Sequence, residues 1–252
     1  MKFTKMEGCA NDFVVIDAAD GPWTLDTARS RAICDRRRGV GADGVLVIGA
    51  PRVRGERRWP VEVHNADGSI AEACGNGLRC VARLLLDRNG GEWVELITRA
   101  GLVRAWRAPE GIAVALDIPQ IGDAFAVSLD HRRIAGARVR AGNSTLVLVV
   151  PDPAHEDLPR LAARARSEAG PGNVVLCAIG GDRLVLRVDE RGVGETQACG
   201  SGACAAVALA AERTTLGASV RVQLAGGTLV VHREPTRYVL AGPADYVFEG
   251  TL

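Results

Sequence analysis

Polar and apolar residues alternate from Met1 to Met6, the period-two pattern of a strand. Phe13-Val14-Val15-Ile16 is a short apolar run of the kind a buried strand uses, preceded by the turn-type segment Gly8-Cys9-Ala10-Asn11-Asp12. Thr24 or Asp26 is placed to cap a helix running to about Arg38, where Gly39 stops it. Val45 to Ile48 is again apolar, and Val61-Glu62-Val63 alternates. A helical pattern occupies Leu78 to Asp87, and Asn89-Gly90-Gly91 turns the chain. Strands are expected over Trp93 to Thr98, Leu102 to Arg107 and Ile112 to Ile118, joined as hairpins by Ala100-Gly101 and Pro109-Glu110-Gly111.

The same order then recurs. Gly142-Asn143 precedes the apolar run Leu146 to Val150, as Asn11 precedes Phe13. Glu156 to Glu168 reads as a helix ended by Gly170-Pro171-Gly172. Val174 to Ile179 and Leu184 to Val188 read as strands about Gly180-Gly181, and a second small-residue helix covers Ala203 to Glu212. Val220 to Leu224, Thr228 to His232, Tyr238 to Ala241 and Tyr246 to Glu249 finish the chain as hairpins. The pattern predicts a duplicated, strand-rich α+β protein with halves at residues 1–119 and 120–252, crossing near Pro119 to Asp123. The last strand is expected to return to the first half.

The repeat is sharpest where each helix begins. Ala73-Cys74-Gly75-Asn76-Gly77 and Ala198-Cys199-Gly200-Ser201-Gly202 both read Ala-Cys-Gly-x-Gly, 125 positions apart in a chain of 252 residues. A cysteine at a helix N-terminus lies by unpaired N–H groups and the positive end of the helix dipole, which favour thiolate. The glycines let backbone approach a ligand and leave N–H groups for a carboxylate. Two such sites facing each other across a cleft would supply two acid/base groups about one α-carbon. One sulfur removes the Cα proton from one face, and the other returns a proton to the opposite face.

Composition narrows the alternatives. An apolar fraction of 47% supports a real core, and a net charge of +1 gives no reason to expect nucleic acid or an anionic membrane. No run of 18 apolar residues occurs, so no spanning helix is expected. Seven cysteines without an export signal point to free thiols in a reducing cytoplasm. Pyridoxal phosphate needs a lysine, and the only two, Lys2 and Lys5, lie in the first strand. The cysteine spacings are not those of a zinc knuckle. Neither a cofactor nor a metal is expected.

Gly39-Val40-Gly41-Ala42-Asp43-Gly44 fits a dinucleotide-binding pattern by letter, but it follows a helix and precedes a strand, so it reads as a plain loop. Cys80, Cys177 and Cys204 read as core, Cys34 as a helix end, and His64 as structural. Cys9 lies in a turn that would either pack or line the cleft.

These motifs resemble the diaminopimelate epimerases, cofactor-independent amino-acid racemases. The likeness is carried by Met6 to Phe13, Gly41 to Gly44, Asn65 to Ser69, Cys74 to Cys80, Gly142-Asn143, Glu190 to Thr196 and Ala198 to Ala203. The resemblance implies two pseudo-symmetric domains, each a mostly antiparallel β-barrel-like sheet around a central helix, with the active site between them. It implies a small-molecule amino-acid substrate and a homodimer. It makes Cys74 and Cys199 the catalytic bases. Asn11, Gly75, Asn76, Gly200 and Ser201 would hold the reacting α-amino-carboxylate end. Asn65, Asn143, Asn173, Glu190 and Arg191 would hold the far end.

Two departures stand out. Gly142-Asn143-Ser144-Thr145 replaces the family's Gly-Asn-Pro-His, and Thr145 cannot take a proton at neutral pH as histidine can. Ala10 stands where the family has glycine, which restricts that loop if φ there is positive. Three readings follow: a diaminopimelate epimerase, a racemase of another amino acid such as histidine, or an inactive amino-acid-binding paralogue.

Overall fold

The computed structural model describes residues 2–18, 25–51, 53 and 55–252. The chain divides into two compact units, one running to Ala115 and resuming over Gly242–Leu252, the other Leu116–Ala241.

In the first unit, β1 (Lys2–Gly8) and β2 (Asn11–Asp17) form a hairpin, and β2 runs parallel to β3 (Gly44–Ile48). β3 pairs antiparallel with β4 (Arg58–Asn65), which carries the two-residue β5 (Ile70–Ala71). β4 then runs parallel to β6 (Trp93–Thr98), and β7 (Gly101–Ala108) and β8 (Gly111–Leu116) follow as hairpins. Among the described residues α1 (Thr27–Cys34) and α2 (Gly75–Asn89) belong here. Ten of the fifteen residues of α2 are buried. The sheet wraps this helix, which touches β1, β2, β3, β6 and β7.

The second unit repeats this plan strand for strand. β9 (Gln120–Leu129), β10 (Arg132–Ala141) and β11 (Asn143–Val149) are antiparallel neighbours, and β11 runs parallel to β12 (Asn173–Gly180). β13 (Arg183–Glu190) pairs antiparallel with β12 and with β14 (Gly194–Thr196), then parallel with β15 (Ser219–Leu224). β16 (Gly227–Arg233) and β17 (Tyr238–Gly242) complete the sheet. α3 (Leu158–Ala169) takes the place of α1, and the central helix is α4 (Gly200–Arg213), rich in alanine and mostly buried.

The register makes the correspondence residue by residue. Val45 pairs with His64 and Val174 with Asp189, while Phe13 pairs with Gly44 and Thr145 with Asn173. Asn11 therefore corresponds to Asn143, Asn65 to Glu190, and Leu46 to Val175.

Several boundaries differ from the sequence expectation. Asp26 caps α1, its carboxylate accepting from the Arg29 N–H at 2.7 Å; Thr24 lies outside the described residues. The helix ends at Cys34, short of Arg38, because the Asp35 carboxylate takes the N–H groups of Arg37 and Arg38 into a turn of its own. α2 and α4 open on the first glycine of each motif, three residues earlier than the apolar pattern. α3 begins at Leu158, because Asp157 caps it. β9 and β10 were not anticipated; β9 is largely exposed, so alternation is weak there. The final strand is not a hairpin on β17. It is β18 (Asp245–Thr251), antiparallel to β1, in the slot that β9 fills beside β10. Tyr246 ties it to α2, its hydroxyl donating to Asp87 at 2.9 Å above the Arg83 guanidinium.

Candidate active site

Cys74 is the N-cap of α2, at φ −140° and ψ 107°, and its side chain caps nothing. Cys199 is the N-cap of α4 in the same conformation, φ −137° and ψ 109°, again without a side-chain cap. At each end the cysteine carbonyl takes the first helical bond, from Leu78 at 2.8 Å and from Ala203 at 2.9 Å. The preceding N–H groups are thus not used within the helix and mark an anion-favouring end. The closing glycine of each motif has a packing reason. A Cβ on Gly77 would lie 3.0 Å from Leu46 of β3, and one on Gly202 would lie 3.1 Å from Val175 of β12. Leu46 and Val175 are equivalent positions, so the motif brings each helix down on its sheet at the same point.

Around Cys74 the side chains form a hydrogen-bonded file. The fully buried Arg79 donates to Asn76 Oδ1 at 3.0 Å. Asn76 Nδ2 donates to Asn11 Oδ1 at 3.2 Å, and Cys74 Sγ lies 3.9 Å from that same oxygen. Asn11 Nδ2 donates to Asp43 Oδ2 at 2.8 Å. Arg36 joins Asp43 to Asp12, and Lys5 reaches Asp12 at 2.6 Å. Burial alone would raise the Asp12 carboxyl, but hydrogen bonds from Arg36 and Lys5 outweigh it and hold it at about 2.

Around Cys199 the arrangement differs. Its sulfur lies 3.4 Å from Ser201 Oγ, with the Glu190 carboxylate and the Gly202 N–H close enough to act on it. Glu190 Oε1 accepts from the Thr196 hydroxyl at 2.8 Å. Helix-end position leads one to expect a depressed thiol. Cys199 instead is pushed well up, first by complete burial and then by the Glu190 charge, against the smaller pull of Ser201 and Gly202.

The remaining expected residues are dispersed within their units. Asn65 closes its own turn, donating to Ser69 Oγ at 2.9 Å. Asn173 is buried and accepts from the Arg191 N–H at 3.0 Å, while the Arg191 residue is exposed. Asn143 is exposed at the start of β11. Glu190, expected at the far end of a substrate, sits at Cys199. Gly75 and Gly200 open the two helices. Thr145 is fully buried, and its hydroxyl has no partner among the described residues. No disulfide joins any of the seven cysteines, and Cys74 alone among them is not buried. Cys9 packs inside; burial raises Cys80 and Cys177 to about 12 and Cys34 to about 11. Asp43 and Arg79 had no assigned role in the sequence, although both lie inside recognisable motifs. The available signal was charge: Arg79 lies among the apolar residues Leu78, Cys80, Val81 and Ala82, where an arginine needs a buried acceptor.

This fold is shared with solved structures described as epimerases, a proline racemase and phenazine biosynthesis proteins. A hydroxyproline epimerase from Agrobacterium vitis superposes with a TM-score of 0.73 at 13% identity, covering 99% of this chain and 91% of that one. A phenazine biosynthesis protein of the PhzF family from Bacillus anthracis gives 0.74 at 15% identity over 99% and 98%. The family model of diaminopimelate epimerase matches residues 3–119 and 138–247. Diaminopimelate epimerases from Sphingopyxis alaskensis (37% identical over 99% of this chain and 96% of the relative) and Azoarcus sp. (38%, 100% and 98%) agree along their length. The chain belongs to the diaminopimelate epimerase family.

Proposed function

We propose that this protein inverts one α-carbon of diaminopimelate, interconverting the LL and meso forms, with Cys74 and Cys199 as the two acid/base groups and without a cofactor. The observation carrying this reading is the pair of matched helix ends. Two helices open on an uncapped cysteine in the same backbone conformation, in a chain of this family. Each compact unit is read as one domain, and each contributes one sulfur.

The chemistry follows from the two surroundings. Glu190 takes the proton of the Cys199 thiol, and the resulting thiolate takes the Cα proton from one face of the substrate. Cys74 gives its thiol proton to the carbanion on the other face and is left as thiolate. Inversion in the reverse direction exchanges these tasks. The helix-end N–H groups by Gly75, Asn76, Gly200 and Ser201 suit the α-carboxylate, whose charge they stabilise as the carbanion forms. Asn11 completes that end. Asn65, Asn143, Asn173 and Arg191 are assigned to the far amino-carboxylate, where the guanidinium suits an anion and the amides an ammonium. Work in the cytoplasm, as a homodimer, is part of the same proposal; among the described residues no helix is long and apolar enough to cross a membrane.

A second reading, racemisation of another amino acid such as histidine, is kept by Thr145, whose buried hydroxyl replaces a titratable ring. Chiral chromatography of reactions with LL-diaminopimelate and with a panel of L-amino acids separates the two. Inversion of diaminopimelate is expected. Inversion confined to another amino acid moves the substrate and keeps the chemistry.

A further inference from the structure

We infer that Asp43 and Arg79 are positioning residues that fix the amide of Asn11 with its oxygen toward Cys74, so that Cys74 is held as a proton donor. The inference deepens the function proposed above, which gives that proton its task.

The polarity of the file leaves one arrangement. Arg79 has only donors, so the Asn76 oxygen must face it, as it does at 3.0 Å. Asn76 then turns its NH2 group to Asn11, which must offer an oxygen in return, at 3.2 Å. At the other end the Asp43 carboxylate has only acceptors, so the Asn11 NH2 group faces it at 2.8 Å. Neither amide can turn over without placing donor against donor or acceptor against acceptor. The Asn11 oxygen, 3.9 Å from Cys74 Sγ, is therefore an acceptor for S–H and has no hydrogen to offer a thiolate.

Asp43 is itself held. Its Oδ2 takes the Asp12 N–H at 3.2 Å besides Asn11, and its Oδ1 takes Arg36 at 2.7 Å. The loop that mimics a dinucleotide-binding pattern thus serves the site through one carboxylate. The second unit has no such file. By register and motif alignment, Gly172 stands for Asp43, Ser201 for Asn76 and Cys204 for Arg79. The device is one-sided, and it distinguishes the two sulfurs at rest.

The test reads thiol reactivity, so it does not need turnover. In reduced protein at neutral pH, alkylation of Cys74 by iodoacetamide is followed by peptide mass spectrometry. Thiolate is the reacting form. Asp43→Ala removes one of the two groups that hold the Asn11 amide, leaving only the Asn76 NH2 group against its turning, and the rate is expected to rise about threefold or more, as loss of one weak hydrogen bond implies. Asn11→Ala is expected to raise it similarly, and Asp43→Ala is expected to add nothing in that background. An unchanged rate in Asp43→Ala overturns the inference. So does an Asp43→Ala effect that persists undiminished beside Asn11→Ala, because the carboxylate would then act by its charge alone. Asp43 is 42% exposed, so alanine is tolerated; should that variant not fold, Asp43→Ser replaces it, its hydroxyl being too short to reach Asn11. Loss of diaminopimelate turnover in the wild type would strike the proposed function and leave this readout standing.

Discussion

Ala10 sits at φ 59° and its neighbour Cys9 at φ 57°, so two residues with side chains hold the left-handed turn between β1 and β2. Each such residue costs about 1–2 kcal/mol against right-handed geometry. The Glu7 carboxylate offsets part of that by accepting the Ala10 N–H at 2.7 Å. The equivalent turn in the second unit uses Gly142 at φ 74°, without strain. Ala10→Gly is therefore expected to stabilise the protein by about 0.5–1 kcal/mol, after the extra freedom of glycine in the unfolded chain is deducted. In thermal unfolding that is a rise of about 1–4 °C; a fall would show that the turn is not strained. The sequence exposed the substitution but not the sign of φ, which depends on the two-residue hairpin. Likewise, the cysteine pair stood out by its repetition. The contacts of Glu190 with Cys199 and of Asp43 with Asn11 did not, because both join residues from different elements.

At the scale of elements, the helix-opening motif does two things at once. It presents a sulfur at the N-cap and seats the helix on its sheet through the glycine three residues on. A Cβ at Gly202 would press on Val175 at 3.1 Å and stand 3.4 Å from Cys199 Sγ. Alanine favours helix by about 1 kcal/mol over glycine, which offsets the overpacking cost of similar size. Gly202→Ala is therefore expected to change stability little while displacing the sulfur, lowering kcat about tenfold or more. Steady-state kinetics beside a melting curve check both parts. Full activity would remove the link between packing and chemistry. Most elements were legible from period and turn residues. Among those missed, β9 is largely exposed, which hides its alternation.

For the whole molecule, the duplication is the organising fact. Each unit repeats the same pairings, parallel ones included, around its own helix. The sequence displayed that duplication through the motifs, whereas the pairing of β18 with β1 is a long-range choice that local pattern does not encode. Both cores are rich in buried thiols. Cys34, Cys80, Cys177 and Cys199 all stay protonated well above the ordinary value of 9.0, chiefly through burial. Their folded pKa values lie above those of the unfolded chain, so their contribution is complete below about pH 9. It is lost as pH rises toward 11 to 12, where the unfolded state releases protons that the folded state keeps. Each thiol contributes a slope of up to about 1.4 kcal/mol per pH unit in that window. Urea midpoints under reductant are expected to fall steeply from pH 9 to 10.5; a flat profile would mean that the thiols are hydrated. On the acid side, Asp12 contributes the opposite sign, with stability lost as pH falls from 3.8 toward 2.

The most direct measurement of the central claim is exchange of the substrate Cα proton in D2O, followed by NMR for the wild type, Cys74→Ala and Cys199→Ala. The wild type is expected to incorporate deuterium at the inverted α-carbon of diaminopimelate. Both variants are expected to fold and to lose inversion by about a thousandfold or more, since each removes one of two required proton carriers. Inversion at the wild-type rate in either variant would contradict the two-thiol account.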